Sequence, residues 1–278
     1  MARSLRMFLL LSLTIILAGH GRTLLAQEEI KDTDSDDPLV KQVETASARF
    51  ELRGTEDGKP MTAVTVMRWR NDIRRQEGIA LMRLWTRDGR PVAQASIYPW
   101  NGTIIHEFDS LTDGGVFSAF DGEASTWSPE AAGVEFREVP DAPPPADSPV
   151  ARLRQMKSIA DSFQAVMTGW KADKSDREVL RVLPRELYRF DAKALKAAES
   201  PIHDGGVFAY VQGTDPEIVL VLQANETDRG SRWEYAFARA TSGGLEVKLQ
   251  DEIVWSAPQN YASHDPSAVH FSTSEPLN

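Results

Sequence analysis

The chain has 278 residues, enough for one large domain or two small ones. Its 41% hydrophobic and 26% charged residues allow a packed core, and its net charge of −10 argues against general nucleic-acid binding, which draws its affinity from clustered Lys and Arg. It has no cysteine, which excludes a disulfide framework, a thiolate metal site, a catalytic thiol and a lipid-modified cysteine.

Residues 1–26 read as a secretory signal peptide. Arg3 and Arg6 precede the apolar run FLLLSLTIILA at 8–18, which is shorter than the roughly 20 residues of a spanning helix. Ala26 suits the last position before cleavage, whereas Leu24 is large where a small residue is preferred. An uncleaved N-terminal anchor is therefore the alternative. Residues 27–37 form an acidic linker. Asp32-x-Asp34-x-Asp36 resembles the start of a calcium loop, but Asp37 and Val43 stand where such a loop needs Gly and Glu.

Asp37-Pro38 opens a helix, with Asp37 as cap and Pro38 at the first position. Leu39, Val43, Ala46 and Phe50 fall on one apolar face. A strand over Ala63–Arg70 follows. Then come three strands, Ile79–Trp85, Val92–Tyr98 and Thr103–Phe108. Asp88-Gly89 and Asn101-Gly102 punctuate them, supplying the positive φ of tight hairpins. Ile79–Trp85 is largely apolar on both sides and belongs inside a sheet. Further strands are expected over 114–120 and Val134–Val139.

Val139–Pro149 is a proline-rich linker. It leads into a long amphipathic helix carrying Leu153, Met156, Ala160, Phe163, Met167 and Trp170 on one face. Short strands over Glu178–Leu183 and Leu187–Phe190 and a helical turn over Ala192–Glu199 precede a meander. Its strands are Gly206–Gln212, Ile218–Leu222, Arg232–Arg239 and Leu245–Leu249, with Ile253–Trp255 as an extension. The polar tail reads as surface or disordered chain.

The expected fold class is α+β, with antiparallel meander sheets and two amphipathic helices packed against them. The expected units are 1–26, signal peptide; 27–37, acidic linker; 38–138, helix plus antiparallel sheet; 139–149, proline-rich linker; 150–257, long helix plus meander; and 258–278, polar tail. Asp113-Gly-Gly-Val-Phe117 recurs as Asp204-Gly-Gly-Val-Phe208 at a shift of 91. A different shift, 127, aligns the two meanders with four identities, Glu107 on Glu234 among them. The two registers disagree, so common turn chemistry explains the echo as well as duplication does.

Among candidate sites, His106-Glu107-Phe108-Asp109 is the most enzyme-like. On a strand, His106 and Phe108 point one way and Glu107 and Asp109 the other, so the carboxylates would form an acid–base pair or merely a solvated edge face. His203, His264 and His270 lack the spacing of a metal site, and neither a metal nor a cofactor is expected. No GxSxG, SxxK, GxGxxG or GxxxxGK[ST] motif occurs. Trp233, Tyr235 and Phe237 alternate on one face, as a stacking platform or as core. Trp85 beside Arg83, and Trp69 between Arg68 and Arg70, suggest exposed or half-buried Arg–Trp stacking. Trp100 at a hairpin tip suits a contact role. The sequons at Asn101 and Asn225 fall in expected turns.

The stretches ASIYPW (95–100), HEFDSL (106–111), PVARLRQMKSIADSF (149–163), LPRELYRF (183–190) and DGGVFAYVQGTDPEIVLVLQA (204–224) give the chain a resemblance. It resembles uncharacterised secreted bacterial proteins of the kind numerous in planctomycetes, over about Pro38 to Trp255. The resemblance implies export and a bacterial source and carries no site across. The leading expectation is an exported, non-catalytic binding or structural module of the cell envelope, in periplasm or outside the cell. Its partner would be a protein, glycan or small ligand, without nucleic acid or a membrane span after processing. The alternatives are a hydrolase using Glu107, Asp109 and His106 in a sheet-lined cleft, and a carrier holding an apolar ligand beneath Phe163 and Met167.

Overall fold

A computed structural model describes residues 37–71, 78–113, 117–169, 177–260 and 263–277. Residues 1–26, expected to be a signal peptide, and 27–36 of the expected acidic linker, with the Asp32–Asp36 triplet, lie outside these residues.

Helix α1 (Pro38–Ala48) starts where Asp37 accepts a hydrogen bond from the Leu39 amide at 2.9 Å. It is followed by β1 (Phe50–Gly54), β2 (Thr62–Trp69), β3 (Ala80–Arg87), β4 (Arg90–Trp100), β5 (Thr103–Ser110), β6 (Phe117–Asp121), β7 (Ala124–Trp127) and β8 (Arg137–Glu138). Helix α2 (Pro149–Ser162) is capped by Ser148, which accepts from the Ala151 amide at 3.2 Å. After it come β9 (Phe163–Gly169), β10 (Glu178–Val182), β11 (Tyr188–Arg189), α3 (Ala192–Ala197), β12 (Ile202–Gln212), β13 (Asp215–Thr227), β14 (Gly230–Arg239), β15 (Gly244–Leu249), β16 (Glu252–Ala257) and β17 (His270–Pro276).

Every strand pair is antiparallel. One sheet runs β17-β5-β4-β3-β2, a second β1-β6-β7, and the largest β16-β15-β9-β10-β12-β13-β14-β8 with β11 beside β12. The hairpins turn where the sequence offers positive φ: 50° and 80° at Asp88-Gly89, 49° and 75° at Asn101-Gly102. The chain is thus largely β, with few helices, and α+β overstates its helical share.

The two halves repeat one arrangement. The series α1, β1 to β7 recurs as α2, β9, β10, β12, β13, β14, β15, β16, with β11 and α3 inserted. The Met61 amide donates to the Leu52 carbonyl at 2.8 Å, linking β1 towards β2 as β9 is linked to β10. A shift of 127 lays β3 on β12, β4 on β13, β5 on β14 and β6 on β15. The Asp-Gly-Gly-Val-Phe recurrence is not part of this correspondence, since Phe117 opens β6 while Phe208 lies in β12. Each half also completes the other's sheet. β8 follows β7 yet pairs with β14, and β17 follows β16 yet pairs with β5.

Strand alternation explains the layers. Ala80, Met82 and Leu84 of β3 share a core with Val207, Ala209 and Val211 of β12 and with Ala236 and Ala238 of β14. This core lies between the two large sheets. The other side of β3, Leu81 and Trp85, packs with Val40 and Val43 of α1. The other side of the larger sheet, including Phe208, Leu220 and Tyr235, packs with Met156 and Ala160 of α2. Burial on both faces accounts for the doubly apolar β3 and β13.

Four expectations are corrected. The long helix does not reach Trp170: it ends at Ser162, and Phe163–Gly169 is strand β9, paired with β10 and β15. Phe163 and Met167 are four apart, a spacing that suits both a helix face and a strand face, and the ladders on both sides decide for the strand. Trp170 itself lies outside the described residues. Phe50, four after Ala46, likewise opens β1 rather than ending α1. The polar tail is not loose chain over His270–Pro276, because it supplies β17. Asn225 is not in a turn but within β13, its amide donating to Glu234 at 3.0 Å.

Candidate functional site

β5 divides its residues between two environments. His106 and Phe108 face α1, whereas Glu107 and Asp109 face the opposite large sheet. The ladders then fix their neighbours: Gln94 and His270 flank Asp109, and Ser96 and Ser272 flank Glu107. Six polar residues from three strands thus share one face and all are buried. The Asp109 carboxylate accepts from Gln94 Nε2 at 2.6 Å and from His270 Nδ1 at 2.8 Å. From the facing sheet, the Arg239 carbonyl accepts from Gln94 Nε2 at 3.2 Å, and the Arg239 guanidinium donates to the Pro258 carbonyl. Ser96 Oγ donates to the Ala240 carbonyl at 3.4 Å. The cluster therefore ties the first sheet to the end of β14.

Burial lifts the Glu107 carboxyl to about 7, and the charges of Asp109 and Asp215 add to the lift, while His270 and a bond from Ser242 oppose it. Burial alone would depress the His270 pKa, but the Asp109 and Glu107 carboxylates outweigh it and leave it raised. Burial likewise lowers Arg239 against the pull of the same two carboxylates. His270 Nε2, Arg239 Nη1 and Gln94 Oε1 have no hydrogen-bond partner among the described residues. An Asp–His pair with an unengaged Nε2 beside a carboxyl near neutrality has the parts of acid–base chemistry. Access is what it lacks: Glu107 is 6% exposed, Asp109 3% and His270 3%.

His106 is not part of this group, because the sheet separates them. It packs against Phe50 with ring centroids 4.9 Å apart, and its Nε2 lies 3.1 Å from Glu275 of β17. Burial pushes its pKa down despite Glu275. Trp85 stacks with Arg83 as expected but is buried rather than exposed. It is 1% exposed, and Arg83 lies 5.9 Å from its ring centre and donates to Ser47 of α1 at 3.2 Å. Trp69 is buried in the core between the sheets rather than stacked on exposed arginines. Trp233, Tyr235 and Phe237 belong to the core beneath α2, with Phe163 5.0 Å from both Tyr235 and Phe237. Trp100 is 42% exposed, at the tip of the β4–β5 hairpin. Among the described residues no three His, Asp or Glu side chains gather as metal ligands.

An open concavity among the described residues lies elsewhere. A cleft of about 730 Å³ is lined by Asp147, Arg152, Pro201, His203, Glu226 and Asp228, with neighbours from the same segments. Its walls are the end of the proline linker, the start of α2, the α3–β12 connection and the tip of the β13–β14 hairpin. Arg152 is held in place by the buried Asp204, which Arg189 also grips, and by the Ala146 and Asp147 carbonyls at 2.9 and 2.8 Å. Burial works against the Asp204 charge, but Arg189 and Arg152 outweigh it and its pKa falls below the usual range. Burial, aided by Arg152, lowers the His203 pKa and favours the neutral ring. A smaller groove of about 340 Å³ runs between α1 and β17, beside Lys41, Arg49 and Glu275.

The cleft wall includes Ser200 and Pro201, which follow the β11–α3 insertion. Residue Gly89 shows how that insertion is seated. Its φ is 80°, its carbonyl accepts from the Asp191 amide at 3.0 Å, and a Cβ there would lie 2.5 Å from the Asp191 carbonyl oxygen.

Sequence reasoning found Glu107 and Asp109 but not Gln94, Arg239 or His270. Gln94, between Ala93 and Ala95 in an apolar strand, was a visible signal. Comparison of the chain with protein-family models, curated proteins and solved structures finds no match.

Proposed function

We propose that the protein is an exported, non-catalytic binding module of the bacterial cell envelope whose ligand site is the 730 Å³ cleft. The observation that carries this reading is the separation of chemistry from access. Glu107, Asp109 and His270 are shut between two sheets and engaged with one another, while the open cleft is built from other residues. Polar walls around Asp147, His203, Glu226 and Asp228 suit a glycan or a peptide better than an apolar ligand. Export and a bacterial source rest on the leader-like residues 1–26 and on the sequence resemblance. Trp100 is a second contact point on the surface.

The test is a thermal-shift and calorimetry screen of the chain from residue 27 against envelope glycans, muropeptides and short peptides. A ligand that stabilises the protein, and loses at least tenfold in affinity with His203→Ala or Glu226→Gln, supports the cleft. Binding that these substitutions leave unchanged, and that Trp100→Ala abolishes, moves the site to the hairpin tip. The second reading, a hydrolase, is favoured by the Asp109–His270 pair alone and is tested by turnover.

A further inference from the structure

We propose that the C-terminal strand β17 is a proton-governed latch, docked on β5 in mild acid and loosened as the medium becomes alkaline. β17 is held through ionisable groups on both of its faces. On the side towards the larger sheet, His270 engages Asp109 at 2.8 Å, with Glu107 of β5 and Arg239 of β14 close enough to act on its charge. Glu107 in turn feels Asp215 of β13. On the side towards α1, Glu275 meets His106 at 3.1 Å and binds Arg49, with Asp121 of β6 alongside. The backbone of β17 adds a third link, since the Ser272 carbonyl lies 2.8 Å from His264 Nδ1. The matching strand of the other half differs. β8 contributes two residues, Arg137 and Glu138, to the edge of β14 and carries no histidine. The proton-sensitive contacts therefore belong to one of the two exchanged strands.

The direction follows from which state holds more protons. When β17 leaves, His270 and Glu107 regain water and their ordinary affinities. Docked, both hold protons more tightly than that. Raising the pH from the ordinary histidine range therefore weakens docking. His106 acts the other way, but only below that range, because its docked pKa is lowered. Release is thus favoured as Glu107 titrates up through about 7, and further above about pH 6.5 as His270 gives up its proton. Release would bare the β5 edge, a surface suited to strand addition.

The chain has no cysteine, so one substitution gives a clean reporter. Ser272→Cys places a thiol in β17, and Ala209→Cys places one in the central strand β12. Labelling rates are divided by those of an unstructured peptide thiol at each pH, which removes the thiolate fraction. Opening at Ser272→Cys is expected to rise about tenfold between pH 6.5 and 8.5 and, at each pH, to exceed by about tenfold or more that at Ala209→Cys, which waits for global unfolding. Adding His270→Gln is expected to shrink the rise; Glu107→Gln serves the same purpose if that variant does not fold. A flat profile, equal opening at the two thiols, or a rise undiminished by the second substitution would overturn the proposal.

Discussion

His270 and Asp109 face each other across the β17–β5 ladder, and their side chains meet at 2.8 Å although 161 positions separate them in the chain. The pair fastens the last strand to the first sheet, and through Gln94 it reaches the backbone of Arg239 in the second. One buried carboxylate thus joins three segments that are distant in sequence.

Glu107 makes folding stability depend on pH. Its folded pKa of about 7 lies above the ordinary value of 4.5. Its contribution is present below about 4.5 and is lost as the pH rises through 7. Glu107→Gln keeps the shape and removes the charge. Urea unfolding at pH 8.5 should find this variant more stable than the parent, by up to about 3 kcal/mol for a shift of that size. At pH 4.5 the two should be nearly equal.

Asp204 sets the acid limit. Its pKa is lowered in the fold, so its contribution is present above the unfolded value and fades as the pH falls through the folded one. Asp204→Asn leaves Arg152 and Arg189 without a buried counter-charge. It should cost about 3–5 kcal/mol at pH 7 by urea unfolding, and the cost should shrink below pH 4.

The tryptophans should behave in opposite ways. Trp85→Ala opens a cavity between β3 and α1 and should cost about 3–5 kcal/mol in chemical denaturation. Trp100→Ala removes an exposed ring and should change stability by no more than about 0.5 kcal/mol.

Most strands were legible in the sequence because their turns carry a specific demand. Asp88-Gly89 and Asn101-Gly102 must take positive φ, and they do. The opposed faces of His106 and Glu107 followed from strand alternation alone. The break between α2 and β9 was not legible, because Phe163 and Met167 satisfy two periodicities at once. β17 escaped notice for a different reason. Its inward residues include His270 and Ser272, which face a polar cluster, so no apolar alternation marks it as a strand. Arg239 and His270 could be joined to Asp109 only by the fold, since pairing between halves brings them together. The register of 127 was present in four identities and became persuasive only when strand followed strand.

Equilibrium unfolding of Asp109→Asn, with turnover assays on the same preparations, separates a clamp from a catalyst. As a clamp, Asp109 predicts a loss of about 3–5 kcal/mol, and no hydrolysis of ester, amide or glycoside substrates by the parent protein. Hydrolysis by the parent that vanishes in Asp109→Asn, with stability unchanged, would contradict it.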